Sequence, residues 1–258
     1  CIRSTPRRGT LQLRSPGDHT PTSDQIPIRI QVETFLLAAI TVLAWGTWLP
    51  PSEKVVLPNP QTRSVYVALG NLVLAALALF VTGPGRLTAD LFLYPFIGGV
   101  IWSIAGWMAF TATSRIGMAK AMGTWAPLNI VVGILWGMVL FGEFLQEGPN
   151  TLLFAGSAVA AIVTGILFII FSGQDDHPTR DGSGRLVGFA GAFGAGLLWG
   201  TYFVPTAWLA RTVDGVDDWV VAFPLAVGMF AGSLILVLLG RKAPRCATHP
   251  DTIRVLAS

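Results

Sequence analysis

The stretch LLWGTYFVP (Leu197–Pro205) decides the fold, because the chain carries an earlier version of it, LAWGTWLP (Leu43–Pro50). Each reads Trp-Gly-Thr-aromatic and then reaches a proline, with one residue of difference in spacing. Trp45 and Trp199 stand about 154 residues apart, and both lie in long apolar runs. Single Trp-Gly pairs arise easily in a chain with nine Trp and 29 Gly, but a four-position match at equivalent places in two apolar runs is harder to obtain.

Working outward from this pair, the chain contains seven apolar segments, at about 34–50, 65–83, 91–112, 119–141, 151–172, 187–208 and 219–240. Several approach the roughly 20 residues that cross a bilayer. They are continuous rather than alternating and rich in Leu, Ala, Gly, Val and Ile, so they read as helices rather than barrel strands. Composition agrees. Of 258 residues, 52% are hydrophobic and only 12% charged, about half the charge of an ordinary soluble domain. The expected class is an all-α, multi-pass protein of the cell membrane.

The repeat motif falls in the first and sixth segments, so the simplest unit is five helices that begin again at the sixth. A unit with an odd number of helices returns inverted across the membrane. Inverted repeats are a recurrent transporter device, with a site near the midplane and alternating access by rocking. A second copy of five would run to a tenth helix, whereas seven segments are present. The expectation is therefore an incomplete copy of a 5+5 protein. It divides into a tail over 1–31, a first repeat over 32–173, a polar connection over 174–186, two helices of a second repeat over 187–240 and a polar tail over 241–258. The Pro-, Arg- and Ser-rich 1–31 has no apolar core of a secretory signal.

The net charge of +3 does not point to nucleic acid. Arg and Lys lie mostly in tails and connections, where topology accounts for them, and their distribution leans towards an outside N-terminus. Cys1 and Cys246 form no C-x-x-C pair, and no His/Cys cluster exists, so no metal or cofactor is expected. Ionisable residues at membrane depth are costly and informative. Here they are scarce: Lys120 opens the fourth segment and Glu143 follows it, both readable as interfacial. No Asp or Glu lies mid-segment.

Aromatic and amide groups are more plentiful. A neutral sugar needs flat apolar faces and a few hydrogen-bonding groups in a mostly apolar pocket. Trp45, Thr47, Trp199, Thr201 and Tyr202 of the repeat motif, with Trp125 and Asn129 of the fourth segment, are the substrate-binding candidates. Pro50, Pro127 and Pro205 are candidate helix breaks for gating. Trp102, Trp107 and Trp136 read better as packing or interfacial belt. Thr47 and Thr201 are also able to bond back to their own helix carbonyls.

The fourth segment carries a resemblance. IGMAKAMGTWAPLNIVVGILWGMVLFGEF (Ile116–Phe144) resembles the fourth helix of the glucose/ribose porter family in the drug/metabolite transporter superfamily, through Ile116-Gly117, Ala121-Met122, Asn129, Gly133, Gly137 and Phe141-Gly142-Glu143-Phe144. GGVIWSIAGWMAF (Gly98–Phe110) is similar to its third helix, and GLLWGTYFVP (Gly196–Pro205) to the opening of its second half. The resemblance makes Gly117, Met122, Gly142 and Glu143 family-motif residues. It implies a ten-helix fold and monosaccharide uptake driven by a proton or sodium gradient. Trp125 and Pro127 depart from the small and polar residues expected there. The alternative is a superfamily exporter of amino acids, nucleotide sugars or drugs. A receptor, scaffold or membrane-embedded enzyme is a third class, but a receptor has no need of the repeat and an enzyme would need paired catalytic groups at depth.

Overall fold

The computed structural model describes residues 28–47, 60–83, 87–142, 148–171, 182–213, 216 and 218–239. All elements among them are helices: α1 Ile28–Thr47, α2 Pro60–Thr82, α3 Ala89–Ile116, α4 Met118–Phe141, α5 Pro149–Phe171, α6 Gly182–Trp199, α7 Val204–Thr212 and α8 Asp218–Leu239. Among the described residues six spans are long and apolar enough to cross a membrane, α6 and α7 counting together as Ser183–Thr212. In α1 the apolar stretch is Phe35–Ala44. The protein is an all-α integral membrane protein. Each span begins a little before its sequence-based bound: α1 begins inside the stretch read as tail, and α6 inside the polar connection.

The chain divides into two compact units, Cys1–Trp48 and Leu49–Ser258. In the first unit, α1 is a single helix whose Thr41 and Thr47 hydroxyls donate to the Leu37 and Leu43 carbonyls at 2.8 and 2.7 Å.

In the second unit α3 is the hub, packed against α2, α4, α6, α7 and α8. Glycines explain how. Lipid gives helices no hydrophobic reason to associate, so close backbone approach through small residues takes over. Gly228 and Gly232 of α8 form a GxxxG pair. A Cβ at Gly228 would run into the Phe96 carbonyl, and one at Gly232 into Ser103 Oγ. Reciprocally, a Cβ at Gly99 would meet the Leu225 carbonyl. The glycines of α6, with Gly200 just past its end, divide between two neighbours. Gly188, Gly191 and Gly194 lie on Ile116, Ala112 and Met108 of α3, while Gly196 and Gly200 lie on Leu128 and Val132 of α4. Leu91, Leu209 and Val221 close one end of this unit, joining the first turns of α3 and α8 to α7.

Only Gly117 separates α3 from α4. Its φ of 80° and ψ of 158° lie where only glycine is comfortable. Its N–H donates to Thr113 O and its carbonyl accepts from Ala121 N–H, so the link itself satisfies one carbonyl of α3 and one N–H of α4. Gly142 ends α4 in the left-handed conformation, φ 66°, with its N–H on Gly137 O.

Candidate functional site

The repeat motif at Trp199–Tyr202 sits where one membrane span breaks. α6 stops at Trp199, α7 starts at Val204, and a turn fills the space. The local cause is Pro205, which has no N–H to give Thr201 and whose ring crowds the turn before it. The ladder tightens to three-residue steps: Thr201 N–H donates to Leu198 O at 3.0 Å, and Val204 N–H to Thr201 O at 2.9 Å. The break lies near the middle of the Ser183–Thr212 span. Discontinuous helices at that depth are where transporters build their sites.

Around the break gather three tryptophans from three elements. Trp199 meets Trp125 of α4 edge-on, with centroids 5.5 Å apart at 78°, and Trp102 of α3 at 6.0 Å and 48°. All three are buried, at 7% exposure or less. Aromatic pairs in these tilted arrangements gain about 0.5–1.5 kcal/mol beyond their buried area. Trp136 of α4 donates from Nε1 to Thr201 Oγ1 at 2.9 Å, and that hydroxyl donates in turn to Leu197 O at 2.7 Å. Thr201 thus couples α4 to the broken helix. Tyr202 stacks edge-on against Phe203 at 6.3 Å, and its carbonyl lies over Gly98 of α3. Asn129 is half-buried, with its backbone carbonyl against Gly200. Pro127 lies inside α4, between Trp125 and Asn129.

Two buried polar atoms beside this cluster have no hydrogen-bond partner among the described residues: Trp199 Nε1 and Ser64 Oγ of α2. Leaving such a group unpaired costs about 1–3 kcal/mol, so each asks for an explanation. At one end of the α7 segment, Arg211 Nη2 donates to Phe141 O at 2.7 Å and stands 4.5 Å over the Phe141 ring. A cation there suits the negative end of α4. Among the described residues no group of three or more His, Cys, Asp and Glu could hold a metal. The arrangement offers stacking faces and hydroxyl and indole donors, which suits binding a polar neutral molecule.

The family described as Sugar transport protein matches residues 36–254. The chain belongs to the sugar transport protein family. Members of this family are transporters, so the chain is a multi-pass membrane transport protein and not an enzyme. A relative from Bacillus cereus is 24% identical over 203 residues, covering 78% of this chain and 67% of its own. One from Streptococcus agalactiae is 27% identical over 208 residues, with 79% and 68% covered. One from Enterococcus faecalis is 25% identical over 212 residues, with 82% and 71% covered. All three carry names that refer to sugar uptake. The chain spans about two thirds of their length. No solved structure matches significantly.

Of the residues singled out from the sequence, Trp125, Asn129, Pro127, Trp199, Thr201, Tyr202 and Pro205 fall in this one region. Thr47 is exposed on α1 in the other unit. Pro50, Glu143 and the side chain of Trp45 lie outside the described residues. Gly117 and Gly142 shape helix ends, and Met122 is half-buried on α4. Trp102 and Trp136, read from the sequence as packing or belt, stand in the cluster. Ser64 was missed. A serine at the start of an apolar run gives no signal until the fold sets it beside Gly106 and Trp199.

Proposed function

We propose that this chain is part of a permease for a neutral monosaccharide, taking it up by alternating access and driven by a proton or sodium gradient. One observation carries the reading: three buried tryptophans and the Trp136–Thr201 hydrogen bond meet at a helix break near mid-span. Indole faces suit the C–H surfaces of a sugar ring, and the hydroxyl and indole groups suit its hydroxyls. The break gives the second half a joint about which the site can open to either side. The sugar uptake names of the relatives support the same substrate class and direction. The two Trp-Gly-Thr-aromatic segments support inverted five-helix repeats.

The test is uptake of radiolabelled glucose, ribose and rhamnose by cells expressing the whole coding sequence, with and without a protonophore. Saturable uptake of one sugar is expected, and its collapse with the protonophore would assign proton drive. Collapse on sodium removal instead would assign sodium. A protein that reaches the membrane and takes up none of the three would sink this reading and turn the search to export of amino acids or drugs.

A further inference from the structure

Gly106 of α3 faces Ser64 Oγ and the ring of Trp199, the two side chains that hold these unpartnered polar atoms. A Cβ built there would stand 3.6 Å from Ser64 Oγ, 3.8 Å from Trp102 Cζ3 and 3.9 Å from Trp199 Cζ2. Three helices therefore point side chains at one bare Cα. Ser64 is 1% exposed and Trp199 4% exposed. Neither Ser64 Oγ nor Trp199 Nε1, which is two bonds from Cζ2, has a hydrogen-bond partner among the described residues. An indole N–H only donates, whereas a serine hydroxyl donates and accepts. A single guest hydroxyl can satisfy both, accepting from Trp199 and donating to Ser64.

Resting on the permease reading above, we propose that Ser64, Gly106 and Trp199 form a specificity subsite that grips one hydroxyl of the transported sugar. Gly106 is glycine there because a side chain would occupy the hydroxyl's place. Ser64 and Trp199 select by chemistry: a sugar lacking that hydroxyl leaves two buried polar groups unsatisfied, which is how a site rejects a deoxy analogue far better than it rejects an extra methylene. The other buried polar atoms without a partner among the described residues are Trp107 Nε1 and Ser233 Oγ.

The test uses the whole protein in a cysteine-free background. Gly106→Ala places its methyl at ordinary van der Waals distances, so the fold should hold while the subsite is filled. Its uptake of the transported sugar should fall at least tenfold with surface expression unchanged. Ser64→Ala should raise KM about three- to tenfold, the loss of one hydrogen bond, with kcat little altered. Ser64→Cys should react with 2-aminoethyl methanethiosulfonate, and glucose, ribose or rhamnose, whichever is carried, should slow that reaction several-fold. A Ser64→Cys that does not react marks a sealed core and overturns the subsite. So does a reaction that none of the three sugars slows, or a Gly106→Ala protein with normal uptake. The permease reading fails differently, when the wild-type protein takes up none of the sugars.

Discussion

At Thr201 one hydroxyl serves two masters. It donates to its own helix at Leu197 O and accepts from Trp136 across 65 positions of sequence. Thr201→Val keeps the shape and removes the acceptor, leaving Trp136 Nε1 half-buried and unpaired. The expected loss is about 1–3 kcal/mol of stability, read as a lower melting temperature in detergent, and Thr201→Ser should restore most of it. Unchanged melting in Thr201→Val would show that the bond is not stabilising. The same residue shows what sequence can and cannot tell. Its back-bond to the helix was legible, because Thr in an apolar helix has few other local partners. Its bond to Trp136 was not, because nothing in composition or period fixes which face of α4 meets the sixth span. Trp102 was opaque for the same reason: an indole in an apolar run reads alike whether it meets lipid, a neighbour or a ligand.

Among the elements, the broken α6–α7 span and the glycine-lined α3–α8 contact are the ones that local chemistry explains. Pro205→Ala returns an N–H that Thr201 O can accept and removes the ring clash. The helix should run on through the break, with stability kept or raised and uptake strongly reduced. Normal uptake in this variant would mean that the break is incidental to transport. At the α3–α8 contact, Gly228→Ala drives a methyl into the Phe96 carbonyl. Overpacking of that kind costs about 1–3 kcal/mol, and here the obstacle is backbone rather than a side chain that could turn aside. Gly156→Ala and Gly165→Ala on α5 are the matched controls, since a Cβ at either meets nothing within 4 Å. Melting in detergent should fall for the first and hold for the other two. The spans were legible because an apolar run of bilayer length has few other readings. The partner of each span was not, since glycine marks close approach without saying to what.

For the whole molecule, the prediction concerns binding. If the tryptophan cluster receives sugar, saturating sugar should stabilise the protein by linkage, about 2.7 kcal/mol at a hundred times Kd. The melting temperature of the purified full-length protein should rise with the carried sugar and stay fixed with a non-carried one. A rise with neither would mean that the purified protein binds neither sugar. The repeated Trp-Gly-Thr-aromatic stretch is what proposes a two-part plan, because an odd-numbered unit returns inverted.

The single-glycine link between α3 and α4 bears on how the protein is made. Their 28 and 24 residues follow one another with a single residue between, too little chain for α3 to settle in lipid while α4 is still being synthesised on the other side. The two should leave the insertion machinery together as one hairpin. A glycosylation acceptor or epitope placed at this corner would then trap the pair half-inserted, while the same insertion at the α4–α5 connection would be borne.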